Sequence, residues 1–143
     1  MDFPKTFPEH ATWYEHRVSY GETDAMGVLY YGEYFHIFER SRGKFLRERG
    51  MGYHLVEERG ILLPVREAWC KYRIPARYDD ILHVHCGVSE WRRASMRIVY
   101  EFWNADKTQV TARGMTEHPM VNPQGKPVAV PDWFKALCEA TPK

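Results

Sequence analysis

Residues 82–88 alternate strictly, with Leu82, Val84, Cys86 and Val88 apolar and His83, His85 and Gly87 between them. A period of two predicts a half-buried strand. The same period returns at Met96, Ile98, Tyr100 and Phe102, set against Ser95, Arg97 and Glu101. Residues 110–121 read as a further strand, and Asn104-Ala105-Asp106-Lys107 as the hairpin turn before it. Residues 62–73 are also β-rich, with Pro64 marking an edge or a bulge, and residues 75–80 form a turn. Residues 16–20 have the composition of a first strand.

Over residues 33–49 the period lengthens to that of a helix. Tyr34, Ile37, Phe38, Ser41 and Phe45 form a broad stripe, with Phe35 and Leu46 at its margin. Glu33, His36, Arg40, Gly43, Lys44 and Arg47 lie opposite, and Gly50 stands where a C-cap glycine belongs. A short helical turn is expected over 54–58, stopped by Gly60. A loop over 122–127 and a closing helix over 131–140 follow, Pro131 opening that helix. Residues 1–12 read as a polar lead-in. Strand, long helix, then four antiparallel strands imply an α+β layer with the helix on one face of the sheet. With no repeat or linker, residues 1–143 are expected to form one domain, its core about 14–122.

Composition adds exclusions. Twenty basic and 19 acidic residues leave a net charge of +1, which gives no reason to expect nucleic acid or an anionic membrane as partner. No apolar run approaches the ~20 residues of a membrane span, and residues 1–16 lack the apolar segment of a signal peptide. Cys70, Cys86 and Cys138 are an odd set without a pairing pattern, as expected of reduced thiols in the cytoplasm.

The chemistry concentrates in Tyr20-Gly21-Glu22-Thr23-Asp24-Ala25-Met26-Gly27-Val28-Leu29-Tyr30-Tyr31-Gly32. This segment sets a carboxylate, Asp24, on a loop just ahead of the helix, whose free N–H groups and dipole make an anion site. A carbonyl oxygen placed there would be stabilised while Asp24 attacks the carbon or activates water. A cap or turn aspartate would have the same spacing.

The run Thr23-Asp24-Ala25-x-Gly27-Val28-x-Tyr30, with Tyr34 and Phe38-Glu39-Arg40-Ser41-Arg42, resembles the signature of hotdog-fold acyl-CoA thioesterases of the 4-hydroxybenzoyl-CoA type. That group includes the Tol–Pal-associated acyl-CoA thioesterases. Tyr72-Arg73-Ile74-Pro75-Ala76-Arg77-Tyr78-Asp79-Asp80 is similar to the family's second motif. The resemblance implies a long helix wrapped by a curved five-stranded antiparallel sheet, homodimers that pair into homotetramers, and active sites at the dimer interface. It implies hydrolysis of an acyl-CoA, with a small, medium-chain or aromatic acyl group, and no cofactor beyond the coenzyme A of the substrate. Asp24 matches the catalytic aspartate, Gly27 the glycine of the tight loop, and Tyr31 the position whose backbone N–H meets the thioester carbonyl. Gly32 joins the substrate-binding set.

Two positions depart from the pattern. Tyr31 stands where envelope-associated members often carry His, and Met26 stands where a small residue is frequent, so that it narrows the site or packs. Glu39 matches an acidic position and would orient water or the Asp24 loop, or else pair with Arg42 or Arg66. Arg92 and Arg93, beside Trp91, are candidate contacts for coenzyme phosphates, or solvated charges at a hairpin tip. His83 and His85 share a strand face, but no carboxylate or thiol clusters with them, and no metal is expected. Trp69, Tyr72, Tyr100, Phe102 and Trp103 read as core and interface. The rival readings are an acyl-CoA-binding or scaffold protein of the same fold and a dehydratase. A dehydratase needs a histidine with an acidic partner near the helix, and His36 there lies on the polar face.

Overall fold

The computed structural model describes residues 3–142; Met1, Asp2 and Lys143, the ends of the expected lead-in and domain, lie outside the described residues. Five strands form one antiparallel sheet: β1 (Ala11–Arg17), β2 (Glu67–Tyr72), β3 (Ile81–Trp91), β4 (Ser95–Trp103) and β5 (Val110–Pro119). Their order across the sheet is β1-β3-β4-β5-β2, so β1 and β2 are the edges. The helix α1 (Glu33–Arg47) follows β1, with α2 (Tyr53–Glu58) after it and α3 (Asp132–Cys138) closing the described chain.

The alternating positions do what their period requires. Leu82, Val84 and Cys86 of β3 and Met96, Ile98, Tyr100 and Phe102 of β4 are buried against Tyr34, Ile37, Phe38 and Phe45 of α1. Phe38 stacks on Tyr100 at 4.1 Å between ring centroids, and Gly114 of β5 leaves room for that ring. Gly50 ends the helix with φ of +87°, while Met51 N–H returns to the Leu46 carbonyl at 3.2 Å.

Four expectations need correction. The first strand lies at Ala11–Arg17 rather than 16–20, because its inward positions include Thr12 and His16, polar residues satisfied by Arg49 and Glu22. The second begins at Glu67 rather than 62; Leu62 makes only an isolated bridge to Val121. The long helix stops at Arg47, two residues early. Gly43, expected on the polar side, is buried: that side of α1 faces β1, where Lys44 Nζ donates to the Trp13 carbonyl at 2.6 Å.

Candidate active site

The sheet end that carries the C-terminus of β1 also carries the loop entering α1. A single 3-10 turn, Tyr20–Glu22, redirects the chain, and the Glu22 carboxylate fastens it. Glu22 Oε1 accepts from the Ser19 N–H at 2.7 Å and from His16 Nε2 at 3.0 Å, and Arg40 of α1 lies 3.6 Å from Oε2. The Glu22 carbonyl accepts the Tyr30 N–H at 2.9 Å, closing a loop over residues 22–30.

Asp24 sits inside that loop, half-buried. Its Oδ1 accepts from the Met26 N–H at 2.9 Å and the Val28 N–H at 3.3 Å, while its own N–H reaches the Val28 carbonyl at 2.9 Å. Gly27 makes this turn possible with φ of +80°, where a side chain would be strained. Among the described residues Oδ2 has no partner, so one carboxylate oxygen is fixed and the other is left for chemistry. The turn reading and the catalytic reading of Asp24 thus use different oxygens.

Beyond the loop, Tyr31 and Gly32 precede α1. Among the described residues neither N–H finds an acceptor, whereas the Tyr31 carbonyl accepts from the Tyr34 N–H at 3.3 Å and from the Tyr72 hydroxyl at 3.0 Å. Asp24, Met26, Tyr31, Tyr34, Tyr72 and Ile74 line one cleft of about 280 Å³. Tyr34 packs edge-on against Tyr72 at 4.8 Å. Burial pushes the Tyr34 phenol up to about 12, and burial followed by Cys70 raises Tyr72 as well, so the walls stay neutral. Burial also pushes the Cys70 thiol up to about 12, which denies it the thiolate a nucleophile needs.

The structure therefore brings Asp24, Met26, Gly27, Tyr31 and Gly32 together. It does not bring Glu39 to them: that side chain is exposed on another face of α1, in a groove with His36, Arg40 and Arg47. Its expected salt-bridge partners are engaged elsewhere, Arg42 with the Tyr53 and Tyr100 hydroxyls and Arg66 with Glu117. Arg92 and Arg93 follow the far end of β3, about 30 Å from the Asp24 end at the usual strand rise. Arg92 pairs there with Glu90 at 3.1 Å. His83 bonds the Ala105 carbonyl, and His85 is sandwiched between Phe7 and Trp13 at 4.1 Å on each side, so each has other work than a metal.

Tyr72, expected with the core and interface aromatics, is exposed rather than in the core and also lines the cleft. Its position in the second motif was the available signal; its partner lies 41 residues away.

Residues 18–137 match the family described as Thioesterase-like superfamily. The acyl-CoA thioesterase YbgC of Haemophilus influenzae is 34% identical over 122 residues, 84% of this chain and 88% of that protein. The solved structure of a DHNA-CoA thioesterase from Staphylococcus aureus superposes with a TM-score of 0.80 at 29% identity, covering 88% of this chain and 87% of that one. A 4-hydroxybenzoyl-CoA thioesterase structure covers 91% of this chain and 99% of its own, with a TM-score of 0.82 at 21% identity. The α+β fold is the hotdog fold.

Proposed function

The chain belongs to the thioesterase-like superfamily, and from that premise we propose that it hydrolyses acyl-CoA thioesters, with Asp24 as the catalytic carboxylate. The observation that carries the assignment is Asp24 Oδ2, without a partner among the described residues and in one cleft with Tyr31, at a helix entrance where the Tyr31 and Gly32 amides find no acceptor among those residues. Those two N–H groups receive the thioester oxygen as negative charge develops on it, and the dipole of α1 adds to their effect. Oδ2 attacks the carbonyl carbon, and water then hydrolyses the resulting aspartyl anhydride, or Oδ2 takes a proton from a water that attacks directly. Either route expels the coenzyme as a thiolate, a leaving group that needs no strong acid, which suits a site holding only one carboxylate. Carboxylic acid and free coenzyme A are the products.

The acyl group fits an apolar, preferably aromatic, class. Tyr31, Tyr34 and Tyr72 offer neutral ring faces and edges, with Met26 and Ile74 completing the wall. Tyr72, Ile74, Met26 and Tyr31 are large apolar groups left exposed beside the unpaired edge of β2. Such an edge and such a patch favour a second copy as partner, hence a homodimer that pairs into a homotetramer. Within that assembly Arg92 and Arg93 are coenzyme contacts supplied to the other subunit's site. Three free cysteines support a cytoplasmic location, and no helix among the described residues is long and apolar enough to cross a membrane.

The test is thiol release from a panel of aliphatic and aromatic acyl-CoAs by the wild type and Asp24→Asn. Turnover by the wild type, with kcat of the variant down about a hundredfold or more at little-changed KM, is the expected result. No cleavage of any thioester would leave an acyl-CoA-binding role in its place, and an equally fast variant would remove Asp24 from the chemistry while leaving the hydrolysis.

A further inference from the structure

Tyr72 ends β2, and its hydroxyl reaches across to the entrance of α1, donating to the Tyr31 carbonyl at 3.0 Å. That carbonyl and the Gly32 N–H are the two ends of one planar peptide group. Holding the oxygen therefore fixes the direction of the N–H, and drawing electron density toward the oxygen makes the N–H a stronger donor. The Gly32 N–H is one of the two amides without an acceptor at the helix entrance.

From this geometry we infer that Tyr72 is a positioning residue for the hydrolysis proposed above, orienting and polarising the Gly32 amide toward the thioester oxygen. Other contacts keep the hydroxyl in place. The Tyr72 ring meets Tyr34 edge-on at 4.8 Å and Tyr31 at 6.4 Å, so it cannot swing without losing both. A Cβ at Gly32 would come within 2.9 Å of the Tyr30 ring, which would have to move aside. The phenol, raised above its ordinary value by burial and then by Cys70, keeps its proton and remains a donor throughout the working pH range. The edge strand thereby becomes part of the catalytic apparatus through one hydrogen bond.

Tyr72→Phe removes the hydroxyl and keeps the ring that lines the cleft. We expect kcat to fall roughly tenfold, less than the hundredfold or more that follows complete loss of such a donor, with KM within about twofold of the wild type. A second measurement separates positioning from packing. In the Asp24→Asn background a bound acyl-CoA persists, and the infrared stretch of its thioester carbonyl reports the donors that touch it. Adding Tyr72→Phe should move that stretch toward the value of the free thioester.

Two results overturn the role of Tyr72 alone: wild-type turnover matched by Tyr72→Phe, or a variant whose KM rises and melting temperature falls while the carbonyl stretch stays put. A wild type that releases no thiol from any acyl-CoA overturns the hydrolase reading and this role together.

Discussion

Glu22 accepts a hydrogen bond from His16 Nε2 at 3.0 Å, and this joins the last turn of β1 to the loop that carries Asp24. The same carboxylate takes the Ser19 N–H and lies beside Arg40, so β1, the loop and α1 meet on one side chain that is 12% exposed. Burial alone would raise its pKa, but bonds from Ser19 and the nearness of His16 outweigh burial and hold it below the ordinary 4.5.

Replacing Glu22 by Gln keeps the shape and removes the charge that these donors prefer. We expect a loss of about 1–2 kcal/mol of stability, the worth of hydrogen bonds to a charged group, and a several-fold lower kcat as Asp24 and Tyr30 lose their common anchor. The sign with pH follows from the lowered value. The carboxylate contributes fully above about 4.5 and loses its contribution as pH falls through its folded-state pKa. Denaturation curves of the two proteins should therefore stand apart at pH 7 and converge toward pH 3; a constant gap would refute the clamp.

A second titration belongs to the core. The Arg42 guanidinium donates to the Tyr100 hydroxyl at 3.1 Å, Tyr100 pairs with Thr116 Oγ1 at 2.7 Å, and Thr116 with His118 Nε2 at 2.7 Å. Burial, followed by the charge of Arg42, pushes His118 down to about 4. His85, desolvated between Phe7 and Trp13 and next repelled by Lys107, also falls to about 4. Both are neutral when folded and bind protons more readily when unfolded. Stability is thus complete above about 6.5 and drains away as pH drops toward 4, His118 accounting for roughly 3 kcal/mol. Urea titrations at pH 7.5, 6 and 4.5 should show this decline, and His118→Gln should flatten it.

What was legible in the sequence divides along a physical line. The strands β3 and β4 and the helix α1 bury apolar side chains at fixed periods, so pattern alone locates them. The strand β1 buries Thr12 and His16, whose partners Arg49 and Glu22 come from elsewhere in the chain, and no local period can announce such pairs. The loop and the helix entrance that hold Asp24, Gly27 and Tyr31 were legible because they are local events, while the roles expected of these residues came from the resemblance. The hydroxyl of Tyr72, the isolation of Glu39 and the distance to Arg92 depend on strand order and helix orientation, which only the assembled fold supplies.

Gly114 faces the aromatic heart of that fold. A Cβ there would clash with the tip of the Phe38 ring, which is itself pinned against Tyr100. Gly114→Ala must push α1 off the sheet, and overpacking of this kind costs about 1–3 kcal/mol. The helix entrance moves with α1, so kcat should fall along with the melting temperature. A variant as stable as the wild type would show that Phe38 has another place to go.

The two arginines after β3 offer the sharpest test of the assembly. They follow the end of β3 opposite the Asp24 loop, about 30 Å along the strand at the usual rise, which favours a role as coenzyme contacts for a site completed by another copy. Arg92→Ala with Arg93→Ala should raise KM about tenfold and leave kcat alone, since phosphate contacts remote from the thioester bind substrate and transition state equally. Mixing that double variant with Asp24→Asn then distinguishes the arrangements. In a hybrid dimer one site combines an intact Asp24 from one chain with intact arginines from the other. Activity with wild-type KM should therefore appear on mixing, although neither parent shows it. If the mixture keeps only the high-KM activity of the arginine variant, the arginines serve the site of their own chain; if the double variant keeps the wild-type KM, they are solvated charges at a hairpin tip, and the coenzyme phosphates are held elsewhere.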